Sequence, residues 1–289
     1  MILISLLIVL ALERVVVKSS HWHIMWHSAW LRNEALRQGW IKDETPALQV
    51  WLLLLLPALL LAMIEYYLLG PFLTLVEQTL VLFICVGCPA LRQTYKCFLQ
   101  AADRGDLEAC SLYTEQLGHC NSVISEEGTA IAQGRSFGQH LSWLNYQHYA
   151  AVILWFIGFG APGALFYTLV RTTFNAFSED NHPQTDNVYR LLYALDFIPV
   201  RITAFGLLMM GHFSRALPEW LKLVGTTSLT PYCVLTRVSA KAEMLTPEEL
   251  QAQQSNASVE PRILVKLAKR NILFLLSVTA ALTLTGLLA

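Results

Sequence analysis

Charge is scarce in this chain. Only 14% of its 289 residues are Asp, Glu, Lys or Arg, whereas soluble domains carry about 25%. That is too little to cover a water-facing globule of this length. Neither sign is in excess: the formal net charge of -1 argues against the broad basic surface that a nucleic-acid partner requires. Signatures of the common enzyme classes are missing as well, with no G-x-x-x-x-G-K-[ST], G-x-S-x-G, H-E-x-x-H or D-x-D cluster. The glycines at Gly134, Gly138 and 158–163 lack phosphate-loop spacing. Of the six cysteines (Cys85, Cys88, Cys97, Cys110, Cys120, Cys233), only Cys85 and Cys88 have C-x-x-C spacing. There is no second pair to complete a four-ligand zinc site and no βαβ context for a redox motif, so they read as small buried helix residues. No metal and no cofactor are implied. Residues 1–12 have no basic residue ahead of the apolar stretch and no small-x-small cleavage site behind it, and so read as a retained helix rather than a signal peptide. Lipidation motifs are absent.

In place of charge the chain has long apolar runs. It is 55% hydrophobic with a mean hydropathy of +0.46. This predicts an all-α, polytopic integral membrane protein of about 4 to 6 membrane helices, each needing ~20 apolar residues, plus short cytoplasmic helices. Residues 1–17 form the first span. A His/Trp-rich loop follows at 18–46, and a helical hairpin turning at Gly70-Pro71 occupies 47–89. Residues 90–147 read as a helical loop, 148–218 as broken and charged membrane helices, 219–261 as a soluble loop and linker, and 262–289 as a C-terminal membrane helix. All belong to one membrane domain. The apolar run 149–177 is interrupted by Gly160-Ala161-Pro162-Gly163, a strong helix breaker. One kinked helix or a re-entrant pair would both fit.

Basic residues orient these elements. Lys18, Arg32, Arg37 and Lys42 precede the hairpin and Arg92, Lys96, Arg104 and Arg135 follow it, while its Gly70-Pro71 tip has none. The positive-inside rule therefore puts both longer loops in the cytoplasm. Within the second loop, Asp106 is a good N-cap and Gly118 a good C-terminal stop. They predict a short helix whose Leu107, Cys110, Leu112 and Leu117 form an apolar side. Thr246-Pro-Glu-Glu reads as another helix start, ahead of a polar linker.

Two constellations could carry chemistry. His21, His23 and His27 alternate with Trp22, Trp26 and Trp30; if helical, His23 and His27 share a face that suits a metal, although interfacial anchoring by tryptophan or a ligand-facing mouth explains the same residues. The second is a set of ionisable groups in apolar surroundings: Glu13, Arg14, Glu65, Glu77, Arg171, Asp196, Arg201 and His212. Each ionised group costs roughly 2.5–3.5 kcal/mol in hydrocarbon, so such groups fix helix register by pairing or mark a site. Arg171 and Asn175 are one turn apart. Pro199, between Asp196 and Arg201, removes a helical N–H and could kink the helix so that the two charges meet.

The chain resembles the AmpE family along nearly its whole length. The agreement is carried by Leu12-Glu13-Arg14, His21-Trp22, 95–102 with Arg104 and Asp106, Trp143-Leu-Asn-Tyr-x-x-Tyr149 and Arg171. It continues through Leu195-Asp-Phe-Ile-Pro-Val-Arg201, Gly211-His212, Ala216-Leu-Pro-x-Trp220 and Val234-Leu-Thr-Arg237. The resemblance implies a multi-pass inner-membrane protein that regulates AmpC β-lactamase induction through cell-wall recycling, with a functional link to the AmpD-type amidase. The AmpE family is in turn similar to the CobD/CbiB membrane enzymes of cobalamin biosynthesis. Where those carry an acidic E-N-T-x-D-G block, this chain has Leu144-Asn-Tyr-Gln-His-Tyr149, which keeps Asn145 without either carboxylate. Thr168 stands where they carry a lysine.

These readings converge on a non-enzymatic sensor or regulator. A polar intramembrane cavity lined by Arg171, Asp196, Arg201, Asn145, His148, Asn175, Glu13, Arg14 and His212 would bind an anionic ligand such as a muropeptide or another anionic amphiphile, with membrane lipid as the surrounding partner. The alternatives are a CobD-like enzyme acting on an amphiphilic carboxylate or phosphate, with Asp196 as base, and a transporter built on the interrupted helix.

Overall fold

A computed structural model describes residues 2–15, 22–41, 45–119 and 136–286. Among them the structure is helical, without a strand. Four helical stretches are long and apolar enough to cross a membrane: Ala47–Tyr67, Phe137–Glu179, Thr185–Met210 and Val259–Leu284. A fifth is reached if Pro71–Cys85 and Pro89–Arg104, bent by 42°, act as one span. The polytopic helical architecture is thus as the composition requires.

The chain forms two compact units, interleaved in sequence. One takes Met1–Gly87, His148–Pro199 and Leu275–Ala289, the other Cys88–Gln147 and Val200–Phe274.

The first unit is organised around a long central helix. Helix α1 (Ile2–Val15), α2 (Ile24–Arg37), α3 (Ala47–Tyr67) and α4 (Pro71–Cys85) all pack against α8 (Ala151–Glu179). Gly70 is the N-cap of α4 and Pro71 its first residue, where a missing N–H costs nothing and the fixed φ favours the helix. The 21 residues of α3 give a length of about 31 Å, matching a bilayer core. Leu6, Val9, Val50, Leu54, Leu82 and Phe156 fill the interior, while Leu52, Leu56, Leu59 and Leu60 face outward. Water would not support that outward face; lipid does.

Within α8 the backbone leaves helical geometry at Gly160 (φ 67, ψ -157), a conformation that a Cβ would oppose. A Cβ on Gly163 would stand 2.5 Å from the Trp155 carbonyl oxygen. The interruption expected at 160–163 is therefore real and depends on both glycines. The first half of α9 (Thr185–Met210), up to Pro199, and the stretch Leu275–Ala289 complete this unit, and Pro199 is accommodated inside the helix.

In the second unit, α5 (Pro89–Arg104) packs on α6 (Leu107–Gln116), while α7 (Phe137–Asn145) and α10 (Phe213–Val224) pack on α11 (Pro231–Ala242). Asp106 caps α6 by accepting from the Ala109 N–H at 3.0 Å, and Gly118 takes φ +79 beyond its end. The apolar side of α6 is narrower than expected. Cys110 and Leu117 are buried, but Leu107 and Leu112 are 73% and 53% exposed, because the stripe of α6 that packs with Phe98, Ala101 and Ala102 is made of Ala109, Cys110 and Tyr113.

The stretch from 219 onward, expected to be loop and linker, is largely helical. The capping box of Thr246 and Glu249 starts α12 (Pro247–Ser255) as its sequence suggested, and the helix then continues through the polar run. The C-terminal helix, α13 (Val259–Leu284), begins three residues before the expected 262, and the basic residues 262–270 form its first turns.

Candidate functional site

Between α7 and α8 lies a five-residue π-helical turn, Tyr146–Ala150; such turns widen the helix and re-aim side chains, often at functional sites. His148 and Tyr149 project from it into the first unit. The Tyr149 hydroxyl donates to Glu13 Oε1 at 2.6 Å. Glu13, only 8% exposed, is covered by Gly87, whose N–H donates to the His148 carbonyl at 2.9 Å. A Cβ on Gly87, at φ +76, would fall 2.1 Å from Glu13 Oε1. Glycine there lets the chain pass over a buried carboxylate.

Deeper in the unit, Arg171 is 1% exposed. Its guanidinium carbon lies 5.9 Å from the centroid of the Tyr167 ring, within cation–π reach. Tyr167 in turn donates to Asp196 Oδ1 at 3.0 Å. His148 lies within electrostatic reach of Arg171, and its Nδ1 is buried without a hydrogen-bond partner among the described residues. Thr168 and Thr172 are buried alongside, their hydroxyls donating to the carbonyls of Ala164 (2.7 Å) and Thr168 (2.8 Å). Thr168 Oγ1 also lies 3.3 Å from Cys85 Sγ. One guanidinium, one imidazole, one phenol and one carboxylate thus share the interior of the first unit. The Arg171 guanidinium over the Tyr167 ring, and the Tyr167 hydroxyl on Asp196, form one continuous polar chain through an apolar interior.

The remaining expected residues lie elsewhere. Arg201 Nε and Nη2 donate to the carbonyls of Val224 and Thr226, both at 2.6 Å, closing the C-terminal end of α10. Trp220 Nε1 donates to the Arg201 carbonyl at 3.2 Å. Asn175, one turn beyond Arg171, is exposed, as is His212, which precedes α10 and whose N–H donates to the Ala242 carbonyl at 2.7 Å. Asn145 is half-buried at the end of α7. The side chain of Arg14 and His21 lie outside the described residues. His23 occupies the N-cap position of α2, one residue outside the helix that holds His27. Among the described residues no group of three His, Cys, Asp or Glu is placed to hold a metal ion, and no disulfide joins Cys85, Cys88, Cys97, Cys110 and Cys233. Glu65 and Glu77 approach each other across the α3–α4 hairpin.

Sequence reasoning did not single out Tyr167, and it named Tyr149 only within the block that carries the family resemblance, not as a site residue. Tyr167 had one available signal, its i, i+4 spacing to Arg171, which stacks the two side chains on a helix.

Outward leucines, apolar spans and a buried cationic cluster together define a multi-pass helical membrane protein. Its family follows from comparison: the model of the regulatory signalling modulator protein AmpE matches residues 1–289, and the chain belongs to the AmpE family. Protein AmpE of Shigella flexneri is 26% identical over 225 residues, covering 74% of this chain and 75% of that protein. Two cobalamin biosynthesis proteins CobD are also similar. That of Chromobacterium violaceum is 27% identical over 157 residues, covering 52% of this chain and 48% of its own length. That of Stutzerimonas stutzeri is 28% identical over 193 residues, covering 65% and 60%. No solved structure matches.

Proposed function

We propose that this AmpE-family membrane protein regulates β-lactamase induction by sensing an anionic product of peptidoglycan recycling, held against Arg171 in the polar interior of the first unit. The observation that carries the reading is a fully buried guanidinium on an apolar helix, where an apolar residue would be less costly. Around it Tyr167, His148 and Asp196 supply orientation, and a carboxylate or phosphate is the kind of anion that a guanidinium binds. The basic loops face the cytoplasm in this reading, which gives a recycled muropeptide its route of entry.

The test is Arg171→Met and Arg171→Lys, assayed for β-lactamase induction at matched membrane abundance. Loss of inducibility in the first and partial retention in the second are expected. Normal induction by Arg171→Met at wild-type abundance would overturn the site.

The similarity to CobD proteins favours a second reading, a membrane enzyme acting on an amphiphilic carboxylate or phosphate with Asp196 as base. Thr168 in place of a lysine and the missing upstream carboxylates weigh against it. Turnover of an envelope or cofactor metabolite by the purified protein would establish it, and unchanged metabolite profiles in a deletion strain would dismiss it.

A further inference from the structure

The second unit contains a cleft that none of these readings uses. On α13, Arg262, Lys266 and Lys269 fall at i, i+4 and i+7, a spacing that places them on one helical face. On α5, Lys96 and Asp103 are likewise two turns apart on a single face. These residues and Tyr95 line one cleft of about 520 Å³, large enough for a small ligand or a lipid headgroup.

Its charge is one-sided. Arg262 Nη2 lies 2.7 Å from both carboxylate oxygens of Asp103, so the one acidic lining residue is already engaged. Lys96, Lys266 and Lys269 then supply positive charge that no lining residue compensates. Cations one turn apart on a helix repel, and a bound anion relieves that repulsion. Leu99 and Val265 contribute apolar wall to the same cleft, which suits a phosphate carried on an amphiphile better than a bare ion. The position agrees with this. Lys269 stands three residues before Ile272, where α13 turns apolar, and basic side chains at that level meet lipid headgroups.

We infer that the cleft between α5 and the basic start of α13 binds a phosphate group carried on an organic molecule, at a site separate from the Arg171 cluster. The phosphate comes either from an anionic phospholipid headgroup or from a soluble phosphate ester, and both arms are tested together. Full-length protein, delipidated in neutral detergent, is titrated with phosphatidylglycerol, phosphatidylcholine or glycerol phosphate and followed by native mass spectrometry and thermal unfolding. Preferential binding of phosphatidylglycerol over phosphatidylcholine, weakened about thirtyfold in a Lys266→Gln/Lys269→Gln variant, supports the lipid source. Protection by glycerol phosphate that the same variant loses supports the soluble source. Lys96→Gln, on the opposite wall, should weaken either ligand and stands in if the double variant is not monodisperse. Lys222→Gln, on α10, should change neither. Equal binding of all ligands by wild type and both cleft variants overturns the site.

Discussion

Arg201→Met should destabilise the protein rather than merely blunt a response. Two guanidinium nitrogens donate at 2.6 Å to the carbonyls of Val224 and Thr226. Hydrogen bonds from charged donors contribute about 1.5–3 kcal/mol each, so the pair amounts to about 3–6 kcal/mol. Two effects lower the net. Val224 and Thr226 are half-buried, so water re-satisfies part of what is lost, and removing a guanidinium that is only 8% exposed recovers its desolvation cost. The lower end, about 3 kcal/mol, is expected, which for a chain of this size lowers the unfolding midpoint by about 6–12 °C. Arg201→Lys keeps the charge but not the fork and should fall about midway. The assay is thermal unfolding of the purified variants in one detergent. A midpoint for Arg201→Met within about 2 °C of wild type would refute the anchoring role and return Arg201 to the list of ligand residues.

Gly206→Ala should destabilise by sterics alone. An added Cβ would lie 2.1 Å from Asn271 Oδ1 and 3.2 Å from Phe274 Cδ1, and overpacking of this kind costs about 1–3 kcal/mol; adding Asn271→Ala relieves the closer of the two contacts, so the double variant should melt above the sum of the single effects. His119 gives a pH dependence. Burial holds its pKa below the usual histidine value, so below about pH 6.5 the unfolded chain takes up the proton more readily and stability falls as pH drops. Above that value His119 contributes no slope. Midpoints measured from pH 7.5 to 5.5 should decline less in His119→Gln than in wild type, and parallel curves would exclude His119 as the group responsible.

The longer spans were legible because an apolar run of membrane length has few other uses, whereas residues 1–17, expected as the first span, give among the described residues only the 14-residue helix Ile2–Val15, shorter than the helices able to cross. α3 was expected at 47–69 and occupies Ala47–Tyr67, and the Gly160 interruption and the Asp106 cap were readable from single residues. The start of α13, expected at 262, lies at Val259. The exposure of Leu107 and Leu112 was not legible: hydrophobicity shows that a residue prefers burial, while only the partner helix decides which stripe obtains it. In the candidate site, Arg171 and Asp196 stood out as costly groups in apolar surroundings. The role of Arg201 was hidden, since its acceptors are backbone carbonyls 23 and 25 residues away, and a carbonyl leaves no trace in sequence.

The interleaving of the two units bears on how the protein is made. The first unit draws on Met1–Gly87, His148–Pro199 and Leu275–Ala289, and the second on the segments between. During synthesis, therefore, the second unit can close as soon as Phe274 has emerged, whereas the first, begun earliest, stays open until the last stretch arrives. Early apolar helices must wait in the bilayer with their interior face incomplete, the condition in which chains are most exposed to misassembly and proteolysis. Cutting the chain at Leu275 would not trim a tail; it would withhold the closing piece of the half that was started first.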